Sequence, residues 1–401
     1  MRLLEKNETP SDWLSKRIGS YVIEHKGGAA LRPSDFSDTG FPVIPKKAIQ
    51  PTGELLIKNP TYCTTEFAHN NQRSIVDSSY TITTLRDLVP TGPTIGTVVN
   101  FSTDEKYILS QGVYGLKLND ELDKKYLSYL SNTSFYRKVM QRVMVGSTQV
   151  HIRTPEFLNL EIQVPPLPEQ QKIAKILATW DNAISTTERL IDNSKQQKKA
   201  LMQQLLTGKK RLLDDNGNPF EGEWKSSNFS KVFEVANNKN SQVKSSDYLE
   251  SGTIPIVDQG KKLVSGYTNK QDIYSDTPVI IFGDHTRVVK WVDFNFCQGA
   301  DGTQVLKPNS ILETKFAYYL LSHTPIPNLG YSRHMRELKE KSFKYPIDKL
   351  EQQKIAAVLT NADKEIDLLE QQLADLQQEK KALMQVLLTG KKRVVVDGRV
   401  V

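Results

Sequence analysis

At 401 residues, with 38% hydrophobic and 25% charged positions and a formal net charge of +7, the chain has an ordinary globular composition and room for two or three domains. No apolar run approaches membrane-span length, and the opening MRLLEKNETP lacks the apolar core of a signal peptide, so no membrane partner is expected. The two cysteines, Cys63 and Cys297, stand alone. This excludes a cysteine-based zinc cluster and points to a reducing, cytoplasmic setting. The charge is uneven: roughly +5 over residues 166–211, about +2 over the region before it, and near zero elsewhere. Bulk neutralisation of a polyanion would need basic residues throughout.

Residues 1–165 carry short β-like runs at 41–44, 80–84, 97–101 and 114–118, separated by Gly and Pro clusters. One helix is predicted over 123–143, with Tyr126, Leu127, Leu130, Tyr136 and Val139 available for a core face. These elements make a mixed α/β domain. Pro165, Pro166 and Pro168 then form a stiff entry into a long helical segment, 166–211. A turn-rich connector, LLDDNGNPFEGEW, leads into a second region, 212–348, of the same character. Pro255-Ile256-Val257 echoes Pro42-Val43-Ile44, Trp224 stands like Trp13, and KFAYYL at 315–320 echoes KYLSYL at 125–130. A second long segment, 349–393, and a short tail, 394–401, complete the chain.

The two long segments are copies. EQQKIAKILATWDNAISTTERLIDNSKQQKKALMQQLLTGKKR starts at Glu169 and EQQKIAAVLTNADKEIDLLEQQLADLQQEKKALMQVLLTGKKR at Glu351. Since 351 − 169 = 182 and 393 − 211 = 182, they align without a gap, and roughly 24 of 43 positions are identical. Neither contains Pro or Gly before Gly208 and Gly390. Apolar residues alternate four and three apart: Ile173, Leu177, Trp180, Ile184, Ile191, Leu201 and Leu205 in one, and Ile355, Leu359, Ile366, Leu369, Leu373, Leu376, Leu383 and Leu387 in the other. Thr187 and Ser194 interrupt the first seam, and Lys198 and Lys380 fall on the seam itself. A heptad seam needs a partner, and the obvious partner of each helix is the other. The expected architecture is α+β: two mixed domains separated by two long helices packed as an antiparallel coiled coil with approximate two-fold symmetry. Such a ruler suits a two-part target, for example two short DNA half-sites.

Domain, helix, domain, helix, with PLPEQQKIAKIL opening the first helix and LLTGKKR ending both, resembles the DNA-specificity subunit of type I restriction–modification systems over essentially the whole chain. The resemblance implies that each globular region reads one half of a bipartite asymmetric site in double-stranded DNA. It implies that the helices dock two methyltransferase subunits, with restriction (motor–nuclease) subunits joining the full complex. It also implies that S-adenosylmethionine, ATP and Mg belong to those partners and that this chain holds no cofactor. At the second helix entry YPIDKL (345–350) replaces the Pro-rich sequence.

Catalytic motifs are weak. Asn59-Pro60-Thr61-Tyr62 superficially matches the turn with which adenine methyltransferases grip a base, but no Gly-rich cofactor loop accompanies it, and it reads as a turn before a strand. There is no Walker-type loop; Asp258 with Lys261 and Asp284 with His285 read as loop pairs; six scattered histidines offer no metal box. The chain reads as a non-catalytic DNA reader, ahead of a coiled-coil scaffold with protein-binding ends or a single-chain DNA methyltransferase or nuclease. Residues able to contact base edges or phosphates are Arg73, Arg86, Lys138, Arg142 and Arg153, with Gln149 and His151 in GSTQVHIR. In the second domain they are Arg287 and Lys290 in GDHTRVVKW, and Tyr331, Arg333, His334 and Arg336 in GYSRHMR. Both stretches, GSTQVHIR and GYSRHMR, lie shortly before a long helix.

Overall fold

The computed structural model describes residues 10–101, 103–330, 332–396 and 399–400. One compact unit comprises residues up to 186 together with those from 373 onward; the other comprises 187–372. No helix is long and apolar enough to cross a membrane among the described residues.

The first unit contains α1 (Thr65–Asn70), α2 (Lys124–Ser131), α3 (Ser134–Val143), α4 (Thr154–Leu158) and the opening half of α5 (Leu167–Leu205). Its four-stranded sheet runs in the order Val22–Gly27, Val113–Leu118, Tyr80–Thr84, Val98–Val99, all antiparallel. A five-stranded sheet places Phe41–Ile44 parallel to Tyr107–Leu109. The helix expected over 123–143 is two helices. Its first part ends at Asn132, and Thr133, extended at φ −73° and ψ 150°, turns its hydroxyl to the Tyr136 N–H to start α3. The apolar spacing survives the break, so Tyr126, Leu127, Leu130, Tyr136 and Val139 all reach one core.

The second unit contains α6 (Phe229–Val232), α7 (Thr314–His323), α8 (Met335–Lys339) and the opening half of α9 (Lys349–Leu387). Phe233–Val235, Thr303–Pro308, Val279–Gly283 and Val289–Val292 form its antiparallel sheet. Ile254–Val257 lies parallel to Cys297–Gly299, just as Phe41–Ile44 does to its neighbour in the first unit. The loose echo between the two PIV-like runs therefore marks one strand of a repeated fold.

Within each unit two helical segments run antiparallel and merge with the domain core. In the first, Ile173 and Leu177 of α5 share a cluster with Leu383 and Leu387 of α9 and with Tyr21, Tyr126 and Ile162 of the domain. In the second, Leu205 and the half-buried Leu201 of α5 join Ile355 and Leu359 of α9 and Phe316 of α7. Fully burying each such side chain contributes roughly 1.5–3 kcal/mol. Ile191 and Ile366 are buried, as are the polar seam residues Thr187 and Ser194; Trp180, Ile184, Leu369, Leu373 and Leu376 are half-buried. Ser194 donates to Glu365 at 2.9 Å, which satisfies its hydroxyl inside the second unit's helix pair.

The repeated motif residues join each domain to its helices. Gln170 accepts the Asp123 N–H at the start of α2 (2.8 Å) and donates to the carbonyls of Glu121 and Pro165. Gln352 does the same to Glu313, Ile311 and Pro346. At the helix ends Gly208 and Gly390 have φ of +71° and +72°, and the 210 and 392 amides reach back to the 204 and 386 carbonyls. A Cβ at Gly208 would sit 3.1 Å from the Trp224 ring and one at Gly390 2.4 Å from Pro10, so both the turn and the packing require glycine. At the second helix entry, where prolines are missing, Asp348 accepts the Leu350 N–H at 2.8 Å and caps the turn.

Candidate nucleic-acid interface

In the first unit the backbone leaves the Tyr80–Thr84 strand, and the strand pair Arg86–Asp87 and Val150–His151 forms beside it. Arg86 lies opposite His151, and His151 in turn exchanges both backbone hydrogen bonds with Val145. Directly opposed residues share a face. Arg86, His151 and Val145 therefore form an exposed row, while Asp87 and Val150 point inward and are buried.

The inward side is a polar clamp. Asp87 accepts the N–H groups of Leu88 (2.8 Å) and Thr94 (3.0 Å) and the Thr94 hydroxyl (2.6 Å), with Lys46 Nζ at 3.4 Å. Burial alone pushes its carboxyl up, but the Thr94 and Val89 hydrogen bonds and the Lys46 charge outweigh burial and hold it below its ordinary value. From α3, Arg137 donates to the carbonyls of Ile95 (2.6 Å), Gly92 (2.8 Å) and Pro93 (3.0 Å) and to the Thr97 hydroxyl (3.1 Å). Burial lowers its pKa, yet a guanidinium stays charged at any working pH. The 88–97 loop is thus fixed from beneath by one anion and one cation.

The second unit builds a corresponding edge from three loops. Asp284 takes the place of Leu85: its amide pairs with the Gly302 carbonyl as Leu85 does with Gly112, and its carbonyl accepts the His334 N–H as Leu85 accepts that of Ile152. Gln259 accepts the His285 N–H at 3.0 Å, and its own carbonyl accepts the Thr286 hydroxyl. His285 Nδ1 lies 3.2 Å from the Ser332 carbonyl. The GDHTR and GYSRHMR stretches, distant in sequence, meet here.

Beneath this edge lies Lys290. Its Nζ donates to the Asp258 carbonyl (2.7 Å) and the Lys262 carbonyl and sits 3.7 Å from the Asp258 carboxylate. Burial pulls its pKa down against the pull of Asp258. Lys261 and Lys262, on the loop it holds, are exposed.

The sequence-derived candidates separate accordingly. Arg86 and His151 are brought side by side; Gln149 is exposed immediately before the ribbon, and Lys138 and Arg142 are exposed on α3, whose end leads to Val145. Arg153 is exposed at the start of α4 and pairs with Glu156 at 3.9 Å. Arg73 lies apart, exposed in the 3-10 turn Gln72–Ser74. In the second unit Arg333 and Arg336 are exposed, the latter 3.4 Å from Glu340, and Tyr331 lies outside the described residues. Arg287 adopts φ +60° and donates to the Ile326 carbonyl at 3.1 Å.

Two candidates are corrected by their placement. Lys290 is spent on carbonyls inside the domain, and His334 is fully buried, with Nδ1 2.9 Å from the Asp284 carbonyl and Nε2 accepting the Leu329 N–H. Both are of the right residue type for DNA, but Lys290 sits on the strand Val289–Val292, which turns alternate side chains inward, and His334 precedes the helix Met335–Lys339 with its ring held by the Asp284 carbonyl and the Leu329 amide. Conversely Val145, Gln259 and Lys262 lie at the edges without having been singled out, and Lys261 joins them after being read only as a loop partner of Asp258. The DQGKK run, polar and flanked by a strand, was the available signal. Asn59 and Pro60 precede a strand, Thr61–Cys63, and the Asp258 carboxylate is engaged by Ser265 and the Gly260 amide. No cluster that could hold a metal ion occurs among the described residues.

Two like domains, each merged with an antiparallel helix pair and each carrying a cationic loop edge at a matching place, describe a modular DNA-reading class of protein. The model of the type I restriction modification DNA specificity domain matches residues 10–194 and again 221–378, and the chain belongs to that family. The type I restriction enzyme MjaVIII specificity subunit of Methanocaldococcus jannaschii is 27% identical over 214 residues, 53% of this chain and 49% of that protein, so the match spans about half of that relative. The putative type I restriction enzyme MjaX specificity subunit of the same organism is 26% identical over 305 residues, 69% of each chain. The crystal structure of a type I restriction-modification system S subunit from M. genitalium matches with a TM-score of 0.61 and 17% identity, covering 96% of this chain and 98% of that one, a likeness of fold.

Proposed function

We propose that this chain is the DNA-reading component of a type I restriction–modification assembly in the cytoplasm, each domain reading one half of a bipartite, asymmetric double-stranded site. The observation that carries this reading is a contrast. The residues joining helix to domain are repeated identically, Glu169 and Gln170 as Glu351 and Gln352, whereas the loop edges at matching places differ in sequence and in shape. A fixed frame with two different edges is what reading two different half-sites requires.

The helices provide the docking surface for two methyltransferase subunits, and restriction subunits join that complex. The chain itself performs no covalent step; S-adenosylmethionine, ATP and Mg serve the partner subunits. The exchangeable reading segments are 1–165 and 212–348, with 166–211 and 349–393 as spacer helices and 394–401 as a tail.

The test is to co-express the chain with its methyltransferase partners and map modified adenines, then replace segment 212–348 with the corresponding segment of a relative. The expected result is that one half-site changes and the other stays. Simultaneous change of both half-sites, or modification independent of this chain, would overturn the reading.

A further inference from the structure

We propose that Leu88 and Val89 in the first domain, and Leu263 in the second, are apolar contacts to the bases, held out on loops that cations pin from below. This rests on the reading that the loop edges bind DNA.

Leu88 is 67% exposed and Val89 44% exposed, in a loop immediately after Arg86. An exposed apolar pair on a slack loop would fold back onto the nearest apolar surface. Here Asp87 takes the amide of Leu88 and Arg137 takes three carbonyls further along, so the loop cannot collapse without breaking charge-assisted hydrogen bonds. The second domain repeats the device with other residues. Leu263 is 46% exposed, next to exposed Lys261 and Lys262, and Lys290 holds the carbonyls of Asp258 and Lys262.

The charge around these tips selects the occupant. Arg86 adjoins the first, and Lys261 and Lys262 the second, so a polyanion is drawn to the surface from which the leucines project. Thymine methyl groups and base steps are the apolar surfaces that a duplex offers. A fixed loop meets them without an ordering cost at binding.

The experiment uses the assembled complex of this chain with its methyltransferase subunits. Binding to the mapped site is measured over a salt series for Leu88→Gln, Leu263→Gln and Arg86→Ala, with Leu88→Met as the conservative variant. Each glutamine variant is expected to weaken binding about tenfold, the scale of one buried leucine, without changing the salt slope. Leu88→Gln relaxes base preference in the first half-site only, Leu263→Gln in the second only, and Leu88→Met restores it.

Wild-type affinity and preference in both glutamine variants would overturn the proposal. So would a loss of complex assembly with unchanged DNA affinity once assembled, which would assign the tips to a protein partner. Arg86→Ala separates the two readings. If it lowers the salt slope by about one while the leucines are silent, the edge binds DNA and the apolar contact fails; if neither matters, the edge itself is misassigned.

Discussion

Arg211 donates to both carboxylate oxygens of Glu351, at 2.6 and 2.8 Å, and Arg393 does the same to Glu169, at 2.8 and 2.9 Å. Because 393 − 211 = 182 and 351 − 169 = 182, these are one interaction made twice, each time between the end of one helical copy and the start of the other. Both glutamates are buried. The EQQ and TGKKR ends of the repeat are therefore two halves of a clasp, which explains why these ends are identical while the middles differ.

The clasp is asymmetric in its consequences. Arg211→Ala leaves a carboxylate inside the second unit without its partner, whereas Glu351→Gln leaves a partly exposed guanidinium facing an amide that still accepts. Removing the cation is expected to cost about 3 kcal/mol and removing the anion distinctly less. Hydrogen exchange of the second unit's peptides checks this: greater loss of protection in Glu351→Gln than in Arg211→Ala would contradict it.

The same symmetry predicts how the chain responds to alkali. Tyr129 donates to Asp181, and Tyr319 to Asp363, at 2.5 and 2.6 Å, and the two aspartates also pair with Lys380 and Lys198. Burial first, then the hydrogen bond to the carboxylate, raises both phenols well above their ordinary value. A raised pKa means the folded chain keeps a proton that the unfolded chain loses, so this stability is complete below about pH 10 and falls as pH rises beyond it, by up to ~1.4 kcal/mol per pH unit per tyrosine. Tyr129→Phe with Tyr319→Phe is expected to flatten that decline in urea titrations between pH 9 and 11. An unchanged slope would show that these phenols do not carry it.

What the sequence disclosed follows from where the constraints are local. The 182-residue repeat, the helix ends at Gly208 and Gly390, and the likeness of the 125–130 and 315–320 stretches all follow from short-range spacing, and each is found in the structure as a pair of matching elements. The break at Asn132 was hidden because apolar periodicity runs on through it. The inward turn of Lys290 depends on which strand face is covered, and that of His334 on the loop around Asp284 that closes over it, tertiary properties that residue type does not carry. The Leu88 tip was passed over because a leucine is read first as core.

Acid is expected to release the first domain's loop before the domain unfolds. Asp87 is held below the ordinary carboxylate value, so its contribution is present above that value and disappears as pH falls through the lower, folded one. Asp87→Asn should produce at neutral pH what acid produces in the parent chain: faster amide exchange at 88–95 and weaker reading of the first half-site, with the second unaffected. Equal loss at both half-sites would mean that Asp87 supports the whole chain and not this loop.

Lys290 offers the sharpest distinction between contact and support. If it gripped a phosphate, Lys290→Met would lower the salt slope of binding by about one, as Lys261→Ala and Lys262→Ala are expected to do. Placed where it is, with its ammonium on the carbonyls of Asp258 and Lys262, it is expected instead to leave the slope unchanged while loosening 258–263 and relaxing base preference in the second half-site. Since methionine fills the same space, the domain still folds, and its unfolding midpoint shifts by less than that of Arg211→Ala. A salt series on the assembled complex, with hydrogen exchange at 258–265 measured alongside, decides between the two roles: a reduced slope with an undisturbed loop makes Lys290 a DNA contact, and a constant slope with a loosened loop makes it the post on which the edge stands.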